Sequence, residues 1–162
     1  MKNYLAALVL VLLGMSAHAQ NLTMSDLTNL AELGNTEAHN NLTFEKPFKQ
    51  LYTQVIKGLT ISHYQGTTPS SKSEMVIIGY GVKNGEGTFL HSVTYTSTNV
   101  KYIRNLLAQA QLAGLDKHFQ GADANRTIYM YTNWLFTINV YINNDNSKGA
   151  VEIQENDTMD YD

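Results

Sequence analysis

Apolar side chains recur along this chain with two different periods, and the points where the period changes mark the elements. From Thr88 to Thr96, Phe89, His91, Val93 and Tyr95 fall on one face and Thr88, Ser92, Thr94 and Thr96 on the other, the two-residue period of a half-buried strand. Met75 to Val82 precedes it, and Lys83-Asn84-Gly85-Glu86-Gly87 reads as the hairpin turn between them, with Asn-Gly supplying positive φ values. The period then lengthens. Val100, Ile103, Leu107 and Ala110 recur at helical spacing between about Thr98 and Ala113, while Lys101, Arg104, Gln109 and Gln111 face away. Gly114 suits the left-handed position after the last turn.

Alternation returns after that helix. Thr127 to Thr132 and Trp134 to Asn143 read as strands, the second placing Trp134, Phe136, Ile138, Val140 and Ile142 on one face. Val151 and Ile153 close the series. Upstream, Ser25 with Asp26 reads as an N-cap and first-turn acid ahead of Leu27, Leu30 and Ala31, and Gly34 ends that short helix. Thr36 with Glu37 opens a second helix through Leu42. Leu59 to Tyr64 is harder to assign, and Phe48 to Val55, behind Pro47, leaves helix and edge strand both open. The Ser/Thr stretch from Thr67 to Ser73 and the acidic tail from Asn156 to Asp162 have the polar, aperiodic composition of disordered segments.

Strands in hairpin succession, with too few helices for βαβ alternation, define an α+β domain with a mainly antiparallel sheet. One long amphipathic helix and one or two short N-terminal helices are expected to pack on one face. The order of elements hints at two helix-plus-three-strand units, although residue identity between the halves is too low to establish a repeat. About 140 residues beyond Ala19 match the usual size of one domain, so a single domain is expected over 20–155.

Composition changes the picture at the N-terminus. Lys2, the apolar run Leu5 to Leu13 and Ala17-His18-Ala19 have the order of a secretory signal with its cleavage site, so residues 1–19 are expected to be removed on export to a periplasmic or extracellular location. The apolar run is short of the roughly 20 residues that cross a bilayer, and no transmembrane segment is expected after cleavage. Cleavage removes one lysine, taking the formal net charge from −3 to −4. With no cysteine in the chain, disulfides contribute nothing; a cysteine-free exported domain fits a bacterial envelope better than an animal secretory route. Basic residues are few and scattered, which argues against nucleic-acid binding.

The run Gln20-Asn21-Leu22-Thr23-Met24-Ser25-Asp26-Leu27 directly after the cleavage site, followed by alternating strands and an amphipathic helix, resembles small secreted proteins of Bacteroidota; the resemblance brings no activity with it. Leu33-Gly34-Asn35-Thr36-Glu37-Ala38 is similar to the Gly-x-Thr turn between two short helices in the SmpA/OmlA envelope lipoproteins and the β-lactamase-inhibitor-protein fold. That likeness implies a helical hairpin leading into an antiparallel sheet. It transfers no function, and the acylated cysteine of the lipoproteins is missing here.

Candidate chemistry is sparse. His39, His63, His91 and His118 show no i, i+4 pairing of the kind that binds zinc from one helix, and neither a metal nor a cofactor is expected. If the strands Leu59 to Tyr64 and Gly87 to Thr96 pair, His63 and His91 share a face with Ile61 and Val93. No Gly-x-Ser-x-Gly turn or paired-carboxylate arrangement occurs, and Asn143 to Gly149 departs from a calcium loop. Tyr129, Tyr131 and Tyr141 are expected opposite the core face, forming with Leu135 an aromatic patch of the kind that binding surfaces use; cover by a second layer such as the long helix is the competing reading. The leading expectation is a non-enzymatic binding module for a protein or a small apolar ligand. The alternatives are a small envelope hydrolase with His63 or His91 as base, and a structural envelope component.

Overall fold

Thr23 sets the start of the first helix. Its hydroxyl accepts from the Asp26 N–H at 3.1 Å while the Asp26 carboxylate accepts from the Thr23 N–H at 2.7 Å, a reciprocal capping box. The helix, α1, therefore spans Met24–Glu32, and Asp26 is the capping partner of Thr23 rather than an acid behind a Ser25 cap. Gly34 is the N-cap of the second helix, α2 (Asn35–Asn40), which runs into a π-helical turn over Asn41–Glu45. The computed structural model describes residues 22–56, 58–83 and 89–156. The signal-like segment 1–19, the Asn84-Gly85 turn and residues 157–162 of the tail lie outside them.

Four strands follow: β1 (Phe48–Ile56), β2 (Leu59–Gly66), β3 (Glu74–Lys83) and β4 (Phe89–Ser97). Helix α3 (Val100–Leu112) is capped by Asn99, whose side chain accepts from the Lys101 N–H, and Gly114 takes φ 72° just beyond it. Then come β5 (Asp116–Ala122), β6 (Arg126–Thr132), β7 (Phe136–Asn143) and β8 (Gly149–Glu155). All pair antiparallel in one sheet of order β1-β2-β3-β4-β8-β7-β6-β5. The fold is α+β with a continuous eight-stranded antiparallel sheet, and each half supplies four strands where three were expected. The edges are β1, which takes the edge-strand reading of the two left open for Phe48 to Val55, and β5, which was not expected. Phe48–Ile56 is strand rather than helix: it pairs with β2 from Phe48↔Gly66 to Ile56↔Leu59, and Pro47, which has no donor to give a ladder, sits just ahead of its first residue. Asp116–Ala122 is exposed along almost its whole length, so it carries no core face to read.

Cross-strand register sorts every side chain to a face. Tyr64, Val76, Tyr95, Val151, Val140 and Tyr129 form one row, and Ile78, Val93, Ile153, Ile138 and Tyr131 the next. Leu27, Leu30 and Ala31 of α1, Ala38 of α2 and Ile103, Leu106 and Ala110 of α3 are buried in the same core cluster. Gly149 lets α3 sit close: a Cβ there would lie 2.8 Å from Ile103 Cγ1 and 2.9 Å from the Tyr141 carbonyl. Glu74 is fully buried on this side, and Tyr95 Oη donates to it at 2.9 Å. Burial and the neighbouring Glu74 push the Tyr95 phenol far above its ordinary range.

Two loops depart from the sequence reading. Trp134 does not join the β7 face; it stands 72% exposed at the tip of the β6–β7 turn, where the Asn133 side chain accepts from the Leu135 and Phe136 N–H groups. An Asx turn of this kind removes the residues after Asn133 from the pleat. The Thr67–Ser73 stretch is ordered: Ser71 is fully buried, and its hydroxyl accepts from the Thr68 N–H. Side-chain-to-backbone bonds hold it where periodicity gives no signal.

Candidate functional site

Alternation that sends one set of side chains under the helices sends the other set to the opposite face, and among the described residues no element lies over that face. Its central rows read Tyr52, His63, Ile77, Thr94, Glu152, Asn139 and Met130 across the sheet, with Gln65, Met75, Thr96, Ala150, Tyr141 and Ile128 alongside. Apolar residues occupy the two flanks, Ile61, Met75 and Ile77 on one side and Ile128, Met130 and Phe119 on the other. The centre is polar: Ser92, Thr94 and Thr96 on β4, Glu152 and Gln154 on β8, Thr137 and Asn139 on β7. None of the flank residues belongs to the buried core, and Tyr52 and Phe119 are about half exposed, at 51% and 49%. Both edges carry irregularities, Leu51 in β1 and His118 in β5, which discourage further strand pairing at the rim.

At the β1–β2 flank, His63 is nine-tenths buried under the Tyr52 ring, the two stacked at 4.2 Å between centroids. Gln54 Nε2 lies 2.9 Å from His63 Nε2. With that amide donating, the neutral imidazole carries its proton on Nδ1, and Nδ1 is buried without a hydrogen-bond partner. At the other end of the face, the Arg126 guanidinium sits 4.4 Å from the Tyr141 ring centroid, and its Nε is 3.1 Å from Asp123 Oδ2. Burial first, then the nearby Glu152 carboxylate, raises the Tyr141 pKa. Thr94, Thr96, Arg126, Tyr141, Lys148 and Glu152 surround a cleft of about 360 Å³.

The residues singled out from sequence scatter across both faces. Tyr131 is buried, with its hydroxyl accepting from Gln111 of α3 at 3.1 Å, and Tyr129 packs half-buried against the same core. Tyr141 alone of the three lies on the open face, because Tyr129 and Tyr131 pair with Val140 and Ile138 while Tyr141 pairs with Ile128. Leu135 is in the β6–β7 turn, packed on the core, and its carbonyl accepts from the Asn156 N–H. The three tyrosines and Leu135 therefore form no common patch. His63 and His91 do not meet either: β3 separates their strands, and His91 shares the helix-side parity of Val93 and Tyr95 while His63 faces the open side. Ile61 and Val93 are likewise on opposite faces. Among the described residues no group of three or more His, Cys, Asp or Glu is placed to hold a metal ion.

Sequence reasoning missed Gln54, Met75, Ile77, Met130, Arg126 and Glu152. The unbroken apolar run Met75-Val76-Ile77-Ile78 hides which alternate residues face out, and Glu152 in β8 lies just ahead of the acidic tail, where a lone acid gives no signal of a site. Among the described residues no helix is long and apolar enough to cross a membrane. No family model matches the chain, and no curated protein or solved structure matches it.

Proposed function

We propose that the chain is an exported, non-catalytic binding module that docks a protein partner on the uncovered face of its sheet. One observation carries this reading: among the described residues an eight-stranded sheet has one face without helical cover, and that face has two apolar flanks around a polar centre. A face that merely met solvent would be expected to alternate strictly to charged and polar residues. Here Ile61, Met75, Ile77, Ile128 and Met130 stand where lysine or glutamate would serve solubility better, and a mixed apolar and polar surface of this kind is typical of non-obligate interfaces. The pairing of β4 with β8 at the centre supports a reading in which two helix-plus-four-strand units are joined to make one broad platform. The N-terminal helical hairpin ahead of β1 supports the likeness to the β-lactamase-inhibitor-protein fold, and the signal-like N-terminus supports a periplasmic or extracellular location.

The test is capture of partners by the immobilised protein from its own envelope fraction, with variants at three places. Ile77→Glu and Met130→Glu put charges on the two flanks, and Leu112→Glu alters a side chain that is 87% exposed on α3. The flank variants should retain the circular dichroism of the parent and lose the captured protein, whereas Leu112→Glu should keep it. Capture that survives both flank variants, or that is lost with Leu112→Glu, would refute the assignment of the surface.

A further inference from the structure

The central strands of the open face end in a depression whose walls and floor are set by residue size. Register places Thr94 beside Glu152, Thr96 beside Ala150 and Tyr141, and Arg126 beside Asn143, which hydrogen-bonds to Lys148 through the backbone. Short side chains, Thr94, Thr96 and Ala150, therefore make the floor. Long ones, Arg126, Tyr141, Lys148 and Glu152, stand around it. The resulting cleft of about 360 Å³ falls within the range of side-chain and small-ligand sites.

The donors of this cleft are only partly used within the protein. Arg126 gives its Nε to Asp123 and lays the guanidinium plane over Tyr141 at 4.4 Å; among the described residues no hydrogen bond engages its Nη atoms. Stacking fixes the plane of the fork without consuming its terminal donors. No hydrogen bond or ion pair among the described residues engages Lys148 Nζ. Glu152 stands near enough to Tyr141 to help raise its pKa, and among the described residues no ion pair joins its carboxylate to Arg126 or Lys148. The Arg126 Nη atoms and Lys148 Nζ thus face a floor of threonine hydroxyls with no hydrogen bond among the described residues, while Arg126 keeps its Nε pair with Asp123 outside the cleft.

We propose that this cleft is a carboxylate subsite that receives an aspartate or glutamate side chain of the protein partner. The proposal rests on the reading of the open face as the docking surface. Arg126 Nη atoms take the carboxylate in a two-point contact, as a planar fork favours, Lys148 adds a second charge, and Thr94 and Thr96 accept or donate to the polar groups that flank the side chain. Partial exposure makes this a contact that sets register and steers approach more than one that supplies most of the affinity.

The experiment is a titration of the isotope-labelled protein with the peptide acetyl-Gly-Glu-Gly-amide, followed by amide chemical shifts, against acetyl-Gly-Gln-Gly-amide and glucuronate. The glutamate peptide should produce saturable shifts at Tyr141, Lys148 and Ala150, with a dissociation constant in the millimolar range. The glutamine peptide should bind at least about tenfold more weakly, a difference of about 1.4 kcal/mol. Arg126→Gln and Lys148→Gln, both at exposed positions, should each remove that preference; Lys148→Gln should leave the melting temperature unchanged, and Arg126→Gln, which also gives up the Tyr141 contact and the Asp123 pair, should lower it by no more than about 5 °C. Equal binding of the two peptides, absence of saturable shifts, or glucuronate binding tighter than the glutamate peptide would each overturn the proposal. Loss of the subsite with partner capture still sensitive to Ile77→Glu would leave the docking face standing, so the two readings fail separately.

Discussion

Truncating a tyrosine on each side of the sheet turns the two-faced architecture into a measured difference. Tyr131 is 1% exposed beneath α3, and Tyr131→Ala deletes a ring that packs against Ile138 and its neighbours in the core. Removing a buried aromatic costs about 3–5 kcal/mol from lost transfer energy and the cavity left behind. For a domain of this size, at about 3–4 °C per kcal/mol, the melting temperature should fall by about 10–20 °C. Tyr131→Phe should cost about 1 kcal/mol or less, because only the bond from the half-exposed side of Gln111 is lost. Tyr141→Ala, on the open face three positions along β7 from Ile138, the partner of Tyr131, loses the Arg126 contact and the cover of a partly exposed ring, about 1–2 kcal/mol in all. Thermal and urea denaturation of the three variants, followed by circular dichroism, give the ranking. A Tyr141→Ala penalty as large as that of Tyr131→Ala would mean that a second layer covers the face described as open, and the functional reading would fall with it.

Other perturbations probe single interactions. Tyr95→Phe removes one donor from the buried Glu74 carboxyl and should lower stability by about 1–3 kcal/mol, with Glu74→Gln recovering part of that loss in the double variant; additive effects in the double-mutant cycle would show that the two groups do not interact. His63→Phe keeps the stack on Tyr52 and removes a buried N–H without an acceptor, so denaturation should show unchanged or slightly higher stability, and a loss above about 2 kcal/mol would mean that Nδ1 is satisfied after all. Burial by itself would raise the Asp26 carboxyl, but the Lys46 ion pair at 2.8 Å and the Thr23 N–H hold it below the ordinary carboxylate range. A depressed folded-state value means stability that is present above the unfolded-state pKa and lost as pH falls through the folded one. Asp26→Asn should therefore be less stable than the parent at neutral pH, with the difference closing below about pH 4; a difference that persists at about pH 2 would contradict the capping-box account.

The central strands and α3 were legible from sequence because burial on one face imposes a period, and the period survives in β4, β7 and β8. Edges were not. The β5 residues Asp116 to Ala122 bury almost nothing, and β1 alternates around an irregularity at Leu51, so neither strand offers the pattern that reveals the others. Trp134 extended the alternation of β7 by composition alone, and an Asx turn that depends on the single side chain of Asn133 overrode it. The faces of Tyr129 and Tyr131 were inverted for a related reason. Their strand has Ile128 and Met130 on the other parity, so apolar residues occupy both faces, and only the pairing of Tyr131 with Ile138 decides which set is covered. The candidate surface was hidden by the same ambiguity: a sheet whose uncovered face also carries isoleucine and methionine reads, in sequence, as a strand buried on both sides.

Site-specific photo-cross-linking tests the central claim most directly. A benzophenone amino acid at Asn139, in the middle of the open face, should give a discrete covalent adduct with a partner in the producing cell, while the same group at Arg104 on the solvent side of α3 should give none. Adducts from Arg104 with none from Asn139 would place the interaction on the helical layer and contradict the account.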